Sequence, residues 1–157
     1  MTNGMFTEIL LGILAISLLV AAVIDIRTFT ISNRLNAFLA LLAPVFWWST
    51  GLPFWPDAAI QVGVAILVFV VLAGAFYAGM MGGGDVKLAA ALALWFSPQS
   101  TLKFLIFMSI AGGLLTLVVM VLPRMKKKPG KPEIPYGVAI ALGGLIILIQ
   151  RFLNQFA

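Results

Sequence analysis

The sequence predicts an all-α fold: a polytopic membrane bundle of about six transmembrane helices. Three observations carry that expectation. Of 157 residues, 62% are hydrophobic and only 10% are charged, whereas soluble domains are nearer half apolar and a quarter charged. The mean hydropathy is +1.14. The apolar residues also gather into six runs parted by short stretches rich in proline, glycine and charge. About 20 apolar residues of helix cross a ~30 Å hydrocarbon core. Residues 1–157 are expected to form a single membrane domain.

The first run, Phe6–Ile24, is broken only by Glu8 and Ser17. It lacks a basic leader and a clear small-residue cleavage site, so it is expected to be retained as a span. The second, Leu35–Ser49, is short and ends in Phe46, Trp47 and Trp48. The third is Ala58–Ala78, opened by Pro56-Asp57, a helix-start pattern. The fourth, Asp85–Phe96, is too short to span alone at ~1.5 Å per residue. The fifth is Thr101–Leu122 and the sixth Tyr136–Phe152. Seven prolines, at 53, 56, 98, 123, 129, 132 and 135, fall in or beside the connections, where helix breakers belong. Glycine pairs at 112–113 and 143–144 are expected to let helices approach closely.

Charge gives the orientation. The loops after runs one, three and five hold Arg27, Arg34, Lys87, Arg124, Lys126, Lys127, Lys128 and Lys131; the other side holds only Lys103 and Arg151. Basic residues collect on the cytoplasmic side, so both termini are expected outside the cytoplasm, with Trp47, Trp48 and Trp55 in the outer interfacial belt. The same rule accounts for the net charge of +5, so no nucleic-acid partner is expected; the bilayer is the partner that composition implies. The chain has no cysteine and no histidine. That excludes disulfides, thiolate or imidazole metal sites, cysteine nucleophiles and Ser-His-Asp chemistry. No metal or cofactor is expected.

Chemistry is left to the acids, of which there are five. Glu8 and Asp57 fall on the outer side and Glu133 in the basic loop. Asp25 closes the first run and Asp85 opens the fourth, both at the cytoplasmic end. Asp85 is preceded by Gly82, Gly83 and Gly84, which strip the backbone of side chains beside it. Charge at the edge of an apolar segment is costly and marks a functional-site hypothesis. Two carboxylates sharing a site do not both ionise easily and hold a proton between them. One can then take a proton from water while the other donates to a carbonyl oxygen, as aspartic proteases require. A proton-coupled carrier would use such a pair equally well. Taken singly, Asp25 beside Arg27 also fits a helix end facing headgroups, and Asp85 a helix-start acid favoured by the dipole.

Three segments resemble a known family. Gly82-Gly83-Gly84-Asp85 fits the GxGD motif of intramembrane aspartyl peptidases, and its extension Val86-Lys87-Leu88 resembles the second catalytic region of type IV prepilin peptidases. Asp25 through Asn36 resembles their first region, and Ile134-Pro135-Tyr136-Gly137 the segment opening their last helix. The resemblance implies a bacterial inner-membrane endopeptidase that cuts prepilin or pseudopilin leaders at the cytoplasmic face, before an apolar helix, with Asp25 and Asp85 catalytic. The substrate helix and its leader would be the partner. The chain lacks the cysteine-bearing cytoplasmic segment of the bifunctional members, so methyltransferase activity is not expected, and its size resembles the short Flp/Tad-type pilus peptidases. A small ion-coupled carrier and a non-catalytic secretion scaffold are the alternatives.

Supporting roles follow by residue type. Gly82–Gly84 would admit a substrate's extended backbone and permit positive φ. Ser32 or Asn33 would cap the second helix. Asn33 and Asn36 could bond near the acids. Lys87, two residues past Asp85, would point away from it and either hold the helix end at the headgroups or fix the loop. Pro135 and Gly137 would shape a substrate groove or start the last helix.

Overall fold

The computed structural model describes residues 4–121 and 134–155, and these form six α-helices with no strand among them. The helices are α1 (Gly4–Thr28), α2 (Asn33–Thr50), α3 (Ala59–Tyr77), α4 (Gly83–Ala93), α5 (Pro98–Val121) and α6 (Tyr136–Gln155). The basic segment Arg124–Lys131 and Glu133 lie outside the described residues.

Four helical segments are long and apolar enough to cross a membrane: Gly4–Thr28, Phe54–Tyr77, Pro98–Val121 and Tyr136–Asn154. This is a multi-pass membrane protein. The second of these segments, the third apolar run, starts earlier than the sequence suggested, because one wide turn, Phe54–Ala58, precedes α3, with the Ala58 N–H donating to the Pro53 carbonyl at 3.0 Å. The second and fourth runs do not meet the same measure. α2 has 18 residues and a polar first turn, and α4 has 11, roughly 16 Å of helix.

The turns explain themselves from sequence. Ser32 caps α2, its Oγ accepting from the Leu35 N–H at 3.2 Å. Gly51, at φ 71°, ends the helix in the left-handed conformation; its N–H donates to the Trp48 carbonyl, and that of Leu52 to Trp47. Gly79, also at φ 71°, ends α3 in the same way, with Gly79 bonded to Phe76 and Met80 to Ala75.

The short helix α4 occupies the centre. It packs against α2, α3, α5 and α6, and Val86, Leu88, Ala89, Ala91, Leu92 and Ala93 are all buried. A helix ending inside a bundle leaves carbonyls that water cannot reach. Here the Trp47 indole N–H donates to the Leu94 carbonyl at 2.7 Å, and the Trp95 indole donates to the Leu39 carbonyl of α2 at 3.0 Å. Trp47 is therefore a core residue, not a member of the outer belt; Trp48 and Trp55 are the exposed ones. Trp95 also stacks on Phe46, ring centroids 5.0 Å apart.

Lipid tails are as apolar as leucine, so helices in a bilayer associate through close van der Waals contact. Gly143 supplies it on α6, where an added Cβ would lie 3.0 Å from the Met108 nitrogen of α5, and Gly144 lies against Leu18 of α1. Gly112 faces Tyr136 and Ala139. The fourth paired glycine, Gly113, faces open space. At the far end, Thr7 Oγ1 donates to Ser49 Oγ at 3.1 Å and joins α1 to α2.

Candidate active site

The C-terminal end of α1 and the N-terminal ends of α4 and α6 meet at one end of the bundle. Asp25 arrives there from the last turn of α1 and is 2% exposed; Asp85 arrives from the first turn of α4 and is 7% exposed. They are the only charged residues buried among those described. The charge of Asp25 acts directly on Asp85.

The local backbone explains how two acids reach this position. α1 ends at Thr28, and Phe29 turns the chain at φ 53°, its N–H donating to the Asp25 carbonyl at 2.8 Å. The Thr28 and Thr30 hydroxyls bond each other at 3.0 Å across the turn. Ile31, the one apolar residue between Thr30 and Asn33, then folds inward and is buried. It joins both halves of the site. An added Cβ on Gly84 would lie 2.8 Å from the Ile31 carbonyl oxygen, and one on Gly137 would lie 2.7 Å from Ile31 Cδ1.

Each carboxylate also abuts a glycine. A Cβ on Gly82 would lie 2.9 Å from Asp85 Oδ2, and one on Gly137 would lie 2.7 Å from Asp25 Oδ2. Without those side chains, backbone amides can face the acids. The Gly82 N–H donates to Asp85 Oδ2 at 3.0 Å, an acid at the third helical position reaching back to the helix start. The amides of Gly137 and Val138 face the Asp25 carboxylate from the first turn of α6, yet Asp25 Oδ2 makes no hydrogen bond of normal geometry among the described residues. A buried carboxylate oxygen without a donor is costly, of the order of 1–3 kcal/mol or more, and calls for water or a protonated neighbour.

Asp85 lines an open cavity of about 560 Å³ walled by Thr28–Thr30, the Gly79–Gly82 turn, Ile134 and Tyr136. Asp25 sits behind it. The arrangement thus holds two interacting acids, one of them at the wall of an open cavity of mixed polarity, of a size to admit an extended peptide segment and water.

Asn36 supports this site. Its Nδ2 donates to the Gly84 carbonyl at 3.0 Å, fixing the start of α4 to α2, and its Oδ1 is buried without a partner among the described residues. Asn33 and Lys87 lie elsewhere. Lys87 Nζ donates to Asn33 Oδ1 at 2.9 Å on the exposed side of the α2–α4 junction, so the lysine fixes that junction and does not reach the acids. The glycine run differs from expectation in two respects. None of Gly82–Gly84 has positive φ; the turn places that at Gly79. The close approach at Gly84 is taken by Ile31 of the same chain, and Phe76 lies against Gly83, so these two serve internal packing. Pro135 is buried and directly precedes α6, leaving Ile134 and Tyr136 to face the cavity. Sequence pattern alone does not assign Ile31, Tyr136 or the Met80-Met81 pair to the site. The signal for Ile31 was present, as an isolated apolar residue in a polar turn.

The model of the type IV leader peptidase family matches residues 12–117. The chain belongs to that family. The matched region contains both acids, the Ile31 turn and the glycine run, and stops before Gly137. A prepilin leader peptidase/N-methyltransferase of Pectobacterium carotovorum subsp. carotovorum is 31% identical over 141 residues, which make up 87% of this chain and 50% of that protein. The chain thus spans about half the length of this curated relative. No solved structure matches the chain.

Proposed function

We propose that this protein is an aspartyl endopeptidase that removes the leader from type IV, Flp-type prepilins or pseudopilins. In this reading it lies in the bacterial inner membrane with both termini outside the cytoplasm and works at the cytoplasmic face. One carboxylate of the Asp25/Asp85 pair, ionised, takes a proton from a water molecule as that water adds to the scissile carbonyl carbon. The other, protonated, donates to the carbonyl oxygen. The tetrahedral intermediate then collapses, the C–N bond breaks, and the departing amine takes up the proton. No covalent enzyme intermediate is formed.

The observation that carries this reading is the meeting of two acids 60 residues apart in sequence, buried together beside an open cavity. Family membership supports peptidase chemistry over transport for the same pair. The test is co-expression with a prepilin of basic leader, glycine and apolar helix. Wild type should shorten the prepilin on a gel, and Asp25→Asn and Asp85→Asn should each abolish the shift while folding and inserting normally. Processing by both variants would sink the proposal.

A further inference from the structure

Lys103 and Arg151, the two bases that the charge pattern leaves opposite the acids, line one cavity of about 350 Å³. Ser97, Ser100, Gln150 and Asn154 add hydroxyl and amide groups to its wall. Arg151 lies fourteen residues along α6 from Gly137, roughly 21 Å from the catalytic end, and α1 continues past it from Leu11 to Gly4. Both side chains are exposed, so the cavity they line opens at the surface of the bundle, near the helix ends opposite the acids.

Their compensation within the chain is incomplete. The Arg151 guanidinium sits 5.2 Å above the Phe46 ring, and the charge of Glu8 acts on it. Among the described residues Lys103 has no acid within ion-pair distance. Among the described residues that line these cavities, two cations against one acid leave a single positive charge, matched by the single negative charge of a phosphodiester.

A second cavity of about 330 Å³ adjoins the first, sharing Leu11, Leu148 and Arg151 with it. It runs between α1 and α6 past Gly12, Ala15 and Leu145, toward the middle of the bundle, and apart from Glu8 and Arg151 its lining is apolar. A cationic chamber toward the membrane face, joined to an apolar track leading inward, has the polarity of an amphiphile standing in a leaflet.

We propose that the two cavities together bind a phosphate-bearing lipid, its phosphate between Lys103 and Arg151 and an acyl chain along Gly12, Ala15 and Leu145. This site is independent of the cleavage chemistry at the other end of the bundle.

The test uses the full-length protein in detergent, stripped of lipid and titrated separately with dioleoylphosphatidylglycerol, dioleoylglycerol and inorganic phosphate. Thermal unfolding and native mass spectrometry report binding. Dioleoylphosphatidylglycerol should raise the melting temperature and remain bound in the spectrometer. Dioleoylglycerol lacks the phosphate and inorganic phosphate lacks the chains, so each should bind at least about tenfold more weakly. Lys103→Gln and Gly12→Leu should each weaken phosphatidylglycerol binding on the order of tenfold. A Cβ at Gly12 meets nothing within 4 Å, so Gly12→Leu fills the track while keeping the unliganded melting temperature. Equal binding of dioleoylglycerol and phosphatidylglycerol, or wild-type affinity in both variants, overturns the proposal. Tight binding of inorganic phosphate that Gly12→Leu leaves unchanged would assign the chamber to a free anion and overturn the lipid reading.

Discussion

Replacing Gly137 by alanine should damage the active site from a residue that carries no functional group. The new Cβ would lie 2.7 Å from Asp25 Oδ2, 2.8 Å from Asp25 Cγ and 2.7 Å from Ile31 Cδ1, about 0.7 Å inside the 3.4 Å at which ordinary contact begins. Asp25 is 2% exposed and Ile31 7%, so neither side chain has free space to retreat into. Either the carboxylate swings out of line with Asp85 or α6 backs away with its two facing amides. A misplacement approaching 1 Å at a reacting group costs up to ~100-fold in rate, and overpacking of this kind costs ~1–3 kcal/mol in stability. The expected outcome for Gly137→Ala is a fall in kcat of roughly 10- to 100-fold, measured as single-turnover leader cleavage in detergent. Gly113→Ala is the control, since a Cβ there meets nothing within 4 Å; it should keep wild-type turnover. If Gly137→Ala cleaves within twofold of wild type, the account of Asp25 as a tightly seated catalytic group is refuted.

Other perturbations separate the roles of the neighbouring residues. Gly84→Ala drives a Cβ to 2.8 Å from the Ile31 carbonyl oxygen, a backbone atom that cannot rotate away, and should cost ~1–3 kcal/mol, read as a lower melting temperature in detergent. Asn36→Leu removes the hydrogen bond to the Gly84 carbonyl and should cost about 1–3 kcal/mol, with a parallel loss of cleavage as α4 loosens from α2. Lys87→Met breaks only the exposed bond to Asn33 and should change stability by less than ~1 kcal/mol and cleavage by less than about threefold. A large loss of cleavage in Lys87→Met, with stability intact, would show that the lysine does reach the substrate.

Much of this site was legible in the chain, for physical reasons. In so apolar a sequence each acid is conspicuous, and the alternation of spans alone puts Asp25 and Asp85 at the same end. Ser32 announced its capping role through its place before the second apolar run. The resemblance of three separate segments, which the family match bears out for the first two, fixed their order. Other features depend on three-dimensional closeness that one-dimensional pattern does not carry. Gly84 looks like a turn glycine but is small because the Ile31 backbone passes over it. Trp47 sits in an aromatic cluster typical of an interfacial belt, yet it turns inward because the end of α4 needs a donor. The fourth run is visibly too short to cross alone, but only the fold shows why it is stable there: α4 is wrapped by α2, α3, α5 and α6.

The halfway stop of α4 has a consequence for the membrane as a barrier. Below Asp85 the bundle is filled by Leu88, Leu92, Trp95, Phe46 and Phe104, and the Trp47 indole that donates to the end of α4 also closes it. No other buried residue described carries a charge. In the proposed reading, protons exchanged by the acid pair would enter and leave from the cavity side, and hydrolysis would proceed at the edge of the bilayer without opening a leak through it.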